Sequence, residues 1–149
     1  MYDYCLELKT KNPNSTAVVS TKKNANDQDE FLGVCICIGP LKRGYLESYR
    51  PVLSLDGCFI KGPWKGQNLV AVGRDGNNQM CERENSVSWA WFVSLLATDL
   101  EMQDGCGWCV ISDQQKGLVD AMKAYLPRAE HRLCARHVHA KLRKTSKGM

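Results

Sequence analysis

The stretch VLSLDGCFIKG, residues 52–62, places a single carboxylate, Asp56, at the end of an apolar, β-branched run. Such a run is typical of a buried strand. A charged side chain is costly to bury unless it is paired, hydrated or bound to a ligand. Asp56 is therefore either a turn residue that ends a strand or one half of a metal site, and the rest of the chain has to distinguish the two roles.

A second aspartate follows a second short strand. WCVIS, residues 108–112, reads as a buried strand and is followed at once by Asp113. In open α/β sheets, sites form at the carboxyl ends of strands. If the two strands are neighbours, Asp56 and Asp113 can share a divalent ion, because Mg²⁺ prefers carboxylate oxygens. Spacing alone also fits two ordinary aspartates at strand ends.

The order of the other elements indicates an α/β fold. Residues 1–29 are predicted to be a polar, partly irregular N-terminal segment with one short strand, and residues 30–149 to be a single domain. In that domain strands come first, and helices and strands then alternate, which implies a mixed sheet flanked by helices. The predicted strands are residues 31–39, 52–59, 68–73, 108–112 and 131–134, and the predicted helices are residues 40–48, a segment capped by Asn85 or Ser86, 115–126 and 135–145.

Composition and charge narrow the class of protein. The 149 residues are 44% hydrophobic and 24% charged, as in an ordinary globular domain. No run approaches the ~20 apolar residues of a membrane span, and there is no signal-peptide pattern, so we expect a soluble, intracellular protein that does not contact membrane. The net charge is only +4, but residues 131–149 contain basic and no acidic side chains. That tail suits either a polyanionic partner or a solvated helix face.

Eight cysteines without a secretory signal favour buried thiols or metal ligands over disulfides. Cys106, Cys109, Cys134 and His137 have the spacing of a tetrahedral zinc site. Plain packing of the cysteines is the simpler interpretation, and zinc is not the expected cofactor. A third alternative places Cys134 and His137 near the two aspartates.

Several motifs of the sequence occur in the same order as in one protein family. RPVLSLDGCFIKGPWKGQNLVAVGRDGNNQM, SWAWF, ISDQQKGLVDAM and AEHRLCARHVHAKLRK closely resemble transposases of Mutator-like elements (MULE), which are DDE-type enzymes with a ribonuclease H-like fold, abundant in plant genomes. The resemblance extends from Asn12 to Lys144. It implies that Asp56 and Asp113 are catalytic and hold Mg²⁺ or Mn²⁺ for cleavage and transfer of DNA strands. It also implies that the partner is transposon-end DNA, that the location is the nucleus, and that an oligomer can form.

The same resemblance marks possible DNA contacts near the aspartates and in the basic tail. They are expected from the basic and aromatic side chains of Lys61, Trp64, Lys65, Arg136, Lys141, Arg143 and Lys144.

Two departures from the family pattern predict an incomplete catalytic domain. The family's catalytic glutamate lies far beyond the second aspartate, and the residues after Asp113 do not include it, so the C-terminal part is expected to be missing. The sequence DGNN, residues 75–78, predicts a hairpin, but only CERENSV separates the following Met80 from Ser88. A strand of about 5–6 residues is therefore expected to be deleted, with an edge of the 68–73 strand exposed. The predicted function is a transposase fragment inactive alone. The alternative is a domesticated, transposase-derived DNA-binding regulator without catalysis.

Overall fold

The structure is a computed structural model that describes residues 1–48, 50–61, 66–74, 80–85, 88–113 and 115–146. The elements in chain order are α1 (Tyr2–Lys11), β1 (Thr16–Lys23), β2 (Asp29–Cys37), α2 (Gly39–Ser48), β3 (Val52–Ile60), β4 (Gly66–Arg74), β5 (Met80–Asn85), α3 (Trp89–Asp99), β6 (Cys109–Ser112), α4 (Lys116–Tyr125), β7 (Glu130–Leu133) and α5 (Ala135–Ser146). Among these described helices, none is long and apolar enough to cross a bilayer.

The described strands form one mixed sheet in the order β1-β2-β5-β4-β3-β6-β7. The pairs β3–β6 and β6–β7 are parallel, and the other pairs are antiparallel. Each parallel connection passes through a helix, as a crossover between parallel strands requires. The prediction of a mixed sheet flanked by helices in an α/β fold is confirmed.

One face of the sheet carries the main core. The strands contribute Leu53, Leu55, Leu69, Ala71 and Val110, all buried. Alternate residues of a strand point to the same face, so these side chains meet the helices together. The facing helices α3 and α4 contribute Phe92, Val93, Leu96, Leu118, Ala121 and Met122.

A smaller core lies on the opposite face, at the N-terminal end of the chain. Cys5 and Leu8 of α1 pack with Ala17 of β1, and Val34 and Ile36 of β2 pack against them. Cys35 between those two β2 residues belongs to the main core, as expected for successive residues on a strand. The helix α1 was not predicted, so the N-terminal segment of residues 1–29 is more regular than the sequence indicated.

The predicted deletion of a strand is wrong. The segment β5 pairs antiparallel with β4 over Leu69–Arg74 and with β2 at Cys35 and Ile36. The segment β5 therefore pairs with β4 along its length and with β2 at Glu84 and Asn85, and β4 is not an exposed edge. The prediction relied on the absence of apolar side chains, whereas strand pairing is made by backbone hydrogen bonds. The predicted turn at residues 75–78 lies outside the described residues.

The start of α3 also differs from the prediction. Asn85, one of the two predicted caps, is the last residue of β5, and Ser86 lies outside the described residues. The helix begins at Trp89, with Ser88 as its N-cap. The difference follows from β5, because residues that pair in a strand cannot also begin the helix.

Tyr45 shows how α2 is fixed to the sheet. Its ring packs 6.0 Å from the ring of Trp108 and occupies the space beside Gly73, where an added Cβ would come within 2.4 Å of the Tyr45 ring. Its hydroxyl lies 2.9 Å from the carbonyl oxygen of Arg50. Burial raises the pKa of Tyr45 above its ordinary value. The glycine that ends the predicted 68–73 strand is thus needed for helix packing.

Candidate metal centre

Asp56 and Asp113 lie side by side where the pairing of β3 with β6 ends. Asp113 directly follows β6, whereas β3 continues past Asp56 to Ile60, so Asp56 does not end its strand as the sequence suggested. Strands β3 and β6 are parallel, and Leu55 pairs with Ser112. The residue that follows each member of this pair is an aspartate, so the two carboxylates are brought to the same level of the sheet. Both side chains are half-buried. The fold therefore brings Asp56 and Asp113 close together, as the sequence predicted.

His137 completes a group of three metal-binding side chains. One ligand atom from each of Asp56, Asp113 and His137 lies within 4.8 Å of the other two. His137 is in the first turn of α5, directly after β7, which is parallel to β6. Its Nε2 is 3.9 Å from Oδ1 of Asp56. Its Nδ1 is buried and, within the described part of the chain, has no hydrogen-bond partner.

This donor set fits a divalent ion. Two ligand atoms on opposite sides of a Mg²⁺ ion are about 4 Å apart, because each is ~2.1 Å from the metal. The 4.8 Å limit of the group therefore leaves only a small adjustment. Carboxylate oxygens and an imidazole nitrogen are common ligands of divalent ions.

Arg136 occupies the outer side of Asp56. Its Nη2 donates a hydrogen bond of 3.0 Å to Oδ2 of Asp56. The pair is open to solvent, with the Arg136 side chain 76% exposed and that of Asp56 44% exposed. An exposed ion pair of this kind contributes about 0–1 kcal/mol. The guanidinium therefore neutralises Asp56 without holding it tightly.

Asp113 is held by Gln115. The backbone N–H of Gln115 donates to Oδ1 of Asp113 at 3.2 Å, and its side-chain Nε2 donates to Oδ2 at 2.9 Å. On the other strand, Oδ1 of Asp56 accepts the N–H of Gly57 at 2.9 Å. An ionised carboxylate has about four acceptor positions. With only these bonds to described residues, both carboxylates keep lone pairs for an ion.

A cleft of about 420 Å³ opens next to Asp56. Its lining includes the polar side chains of His137 and Cys134 and the apolar side chains of Val72 and Ile111. This cleft therefore opens directly onto the Asp56 carboxylate. A substrate group can approach Asp56 from this side without displacing the main core.

The sequence-family comparison covers this part of the chain. A family model described as MULE transposase domain matches residues 52–141. The match begins at the first residue of β3 and continues into α5, so it includes Asp56, Asp113 and His137. The chain belongs to the MULE transposase domain family.

Membership in the MULE family indicates a transposase-related function. It also suggests that the domain uses a divalent metal ion and binds DNA. The recognised resemblance is thus confirmed, and the family match is shorter than the range from Asn12 to Lys144 that the sequence suggested. No curated protein matches the chain.

The predicted DNA contacts of this MULE domain lie in different settings. Lys61 is exposed immediately after β3, Arg136 is paired with Asp56, and Arg143 is exposed on α5. Trp64 and Lys65 lie outside the described residues. Lys141 and Lys144 belong to α5, but their side chains are outside the described part. DNA contact by these residues remains a prediction.

The zinc-like spacing does not produce a common site. Cys109 begins β6, whereas Cys134 follows the end of β7, and the two strands run parallel. A four-residue strand spans about 13 Å at ~3.3 Å per residue. Cys106 and Cys109 are therefore at the opposite end of the sheet from Cys134 and His137, too far apart to share one ion. The tetrahedral Cys₃His alternative is wrong.

Sequence reasoning placed His137 near the aspartates only as an alternative, and it missed Gln115. The spacing of CARH indicated that Cys134 and His137 could act together, but the structure groups His137 with the carboxylates. The motif SDQQ contains two glutamines, and the sequence alone did not indicate which one holds Asp113. The one sequence signal for Gln115 was that an amide two residues after an aspartate can reach that carboxylate.

Proposed function

We propose that this chain is a ribonuclease H-like catalytic domain that binds Mg²⁺ or Mn²⁺ between Asp56 and Asp113 and acts on transposon-end DNA in the nucleus. His137 is proposed as the third ligand. The observation that carries the proposal is the group of Asp56, Asp113 and His137 within 4.8 Å, inside the region of the family match. The sheet order supports the fold proposal, because β5, β4 and β3 are antiparallel and are followed by the parallel β6 and β7.

The proposed chemistry is cleavage and transfer of a DNA strand. A bound divalent ion activates the attacking oxygen and stabilises charge on the phosphate. Asp56 and Asp113 would bind and orient the ion, since they lie side by side where the pairing of β3 with β6 ends. His137 would add a nitrogen ligand, which suits first-row transition ions better than Mg²⁺. The cleft beside Asp56 gives the DNA phosphate a route to the site.

The 149 residues alone are proposed to have little or no transposase activity. Among the described residues, two carboxylates reach the site, whereas family enzymes use three acidic residues. A single chain can therefore bind metal without completing the reaction. A nicking assay on supercoiled DNA with Mn²⁺ tests this point. Robust cleavage that disappears in Asp56→Ala would contradict it.

Metal titration tests the site directly. We expect Asp56→Asn, Asp113→Asn and His137→Ala each to weaken Mn²⁺ binding at least tenfold in isothermal titration calorimetry. Each substitution removes one ligand from the group of three. The matched controls are Asp120→Asn on α4 and His139→Ala on α5, both exposed. They are expected to bind Mn²⁺ like the unaltered chain.

Two outcomes would count against the proposal. The proposed site is rejected by equal Mn²⁺ affinity in the unaltered chain and in Asp56→Asn and Asp113→Asn. The proposed catalytic function is weakened by a salt-dependent DNA gel shift unaffected by Mn²⁺ and by loss of both aspartates. The second result would favour a DNA-binding regulator without catalysis.

Arg136 is expected to compete with the metal for Asp56. Replacing it in Arg136→Gln removes a positive charge 3.0 Å from Oδ2 of Asp56, and we expect Mn²⁺ affinity to rise by about two- to fivefold at low salt. The gain should shrink at high salt, because salt screens exposed charges. Arg132→Gln is the control, since Arg132 pairs with Glu130 at 2.8 Å. Equal effects of both variants would show that only net charge matters.

A further inference from the structure

A hydrogen-bonded chain connects the main core to Asp113. Trp89 Nε1 donates to Oε1 of Gln115 at 2.8 Å, and Gln115 Nε2 donates to Oδ2 of Asp113 at 2.9 Å. Gln67 Nε2 also donates to Oε1 of Gln115, at 3.3 Å. We infer that Trp89 and Gln115 are positioning residues that hold the Asp113 carboxylate in the orientation needed for metal binding. This inference rests on the proposed metal site.

The chain has only one chemically consistent direction. An indole N–H is a donor and never an acceptor, and an ionised carboxylate is an acceptor and never a donor. The Gln115 amide satisfies both neighbours only when its oxygen faces Trp89 and its NH₂ group faces Asp113. Trp89 therefore selects the amide orientation that presents a donor to the carboxylate. A side chain with only acceptors or with no polar group could not do this at position 115.

The indole that begins the chain is held firmly. Trp89 is 6% exposed and packs edge-on against Phe92, with ring centroids 5.9 Å apart. It also fills the space next to Gly57, where an added Cβ would lie 3.0 Å from its Cζ2 atom. On the other side, a Cβ on Gly117 would lie 3.6 Å from its Cδ1 atom.

The position of Trp89 links both segments that carry the acids. Gly57 directly follows Asp56, and Gly117 is in the first turn of α4, just after Gln115. The buried ring is therefore a common support for the two sides of the site. Groups that orient metal ligands typically change metal affinity by about 10–100-fold when they are lost.

Two conservative substitutions test the inference. Trp89→Phe removes the indole N–H but keeps an aromatic ring, and Gln115→Met keeps the side-chain length but removes both amide groups. We expect each to weaken Mn²⁺ binding by about 10–100-fold while circular dichroism shows a folded protein. Trp91→Phe is the matched control on the same helix, because Trp91 is partly buried against the core. It is expected to leave the Mn²⁺ affinity within twofold.

The double variant distinguishes positioning from general loosening of the fold. If the two residues act through one chain of hydrogen bonds, the double variant Trp89→Phe/Gln115→Met should have the same Mn²⁺ affinity as the single variant that binds Mn²⁺ less tightly. Additive losses would overturn the inference, as would affinities within twofold of the unaltered chain for both single variants. If the inference is overturned but Asp113→Asn abolishes Mn²⁺ binding, the proposed metal site holds without a positioning role for Trp89 and Gln115. If Asp113→Asn also binds normally, the proposed metal site itself fails.

A measurement without metal tests the same contact. In a ¹⁵N-correlated NMR spectrum, the indole resonance missing from Trp89→Phe identifies Trp89. We expect this resonance to shift and to exchange faster with solvent in Gln115→Met, since its acceptor is lost. In Trp91→Phe it should stay in place. An unchanged Trp89 resonance in Gln115→Met would overturn the proposed hydrogen bond.

Discussion

Phe92→Ala is expected to lower the free energy of unfolding by about 3–5 kcal/mol, the usual cost of removing a large aromatic side chain from a core. Phe92 is 0% exposed and lies in the main core between the sheet and α3. Its loss leaves a cavity that rigid neighbours fill only in part. Chemical denaturation followed by circular dichroism measures the effect.

The matched control for this prediction is Phe59→Ala. Phe59 is on β3, the strand that carries Asp56, but it is 78% exposed. We expect its replacement to change the free energy of unfolding by less than about 0.5 kcal/mol. Similar losses for the two variants would show that Phe92 is not in the core. Phe92→Ala also removes the ring beside Trp89, so a folded variant should bind Mn²⁺ more weakly.

Gly39→Ala is expected to destabilise the fold by about 3 kcal/mol, the upper end of the usual cost of overpacking. A Cβ at this position would lie 2.2 Å from the carbonyl oxygen of Pro13 and 2.9 Å from the backbone nitrogen of Ser15. These are backbone atoms, so they cannot move aside as a flexible side chain can. The Gly39 N–H also donates to Oγ of Ser15 at 2.7 Å, and the forced movement strains this bond.

Gly44→Ala provides the control on the same helix. Gly44 is within α2, and nothing lies within 4 Å of the position its Cβ would take. Because glycine disfavours the helix interior, we expect this variant to gain about 0.5–1 kcal/mol in stability. Thermal denaturation of both variants gives the comparison. A stable Gly39→Ala protein would contradict the close approach of α2 to residues 13–15.

The sequence was sufficient to predict the centre of the sheet and the meeting of two acids. Asp56 and Asp113 each follow a short apolar run, and a parallel arrangement of the two runs follows from the helix between them. The order of helices and strands after residue 88 was likewise predictable, since α3 and α4 carry apolar residues at three- and four-residue spacing and β6 is a β-rich run. These are local patterns, and the fold preserves them.

The elements that the sequence did not predict depend on neighbours elsewhere in the chain. Helix α1 is ten residues long, near the limit for an isolated helix, and it is stabilised by packing Cys5 and Leu8 on the sheet. Strand β5 lacks an apolar pattern, yet it lies between β2 and β4. No local pattern encodes these two contacts.

The missing details of the candidate site have a similar origin. The charge of Arg136 suggested DNA contact, but a basic residue at the start of a helix can also turn back to a nearby carboxylate. Pairing with Asp56 depends on where α5 begins after β7. The support of Asp113 by Gln115 and Trp89 joins residues from α3 and the segment before α4. Only the assembled fold brings them together.

The short ladder between β2 and β5 gives the protein a natural seam. Among the described residues, these strands are joined at Cys35–Asn85 and Ile36–Glu84, whereas β1 and β2 pair along nearly their full lengths. The N-terminal hairpin and α1 share their own small core. Besides this ladder, their described ties to the remainder include Cys35 in the main core and the hydrogen bond of Thr16 to Asp99. We expect slow local unfolding to begin at the β2–β5 ladder, while the part of the protein that holds Asp56 and Asp113 stays folded.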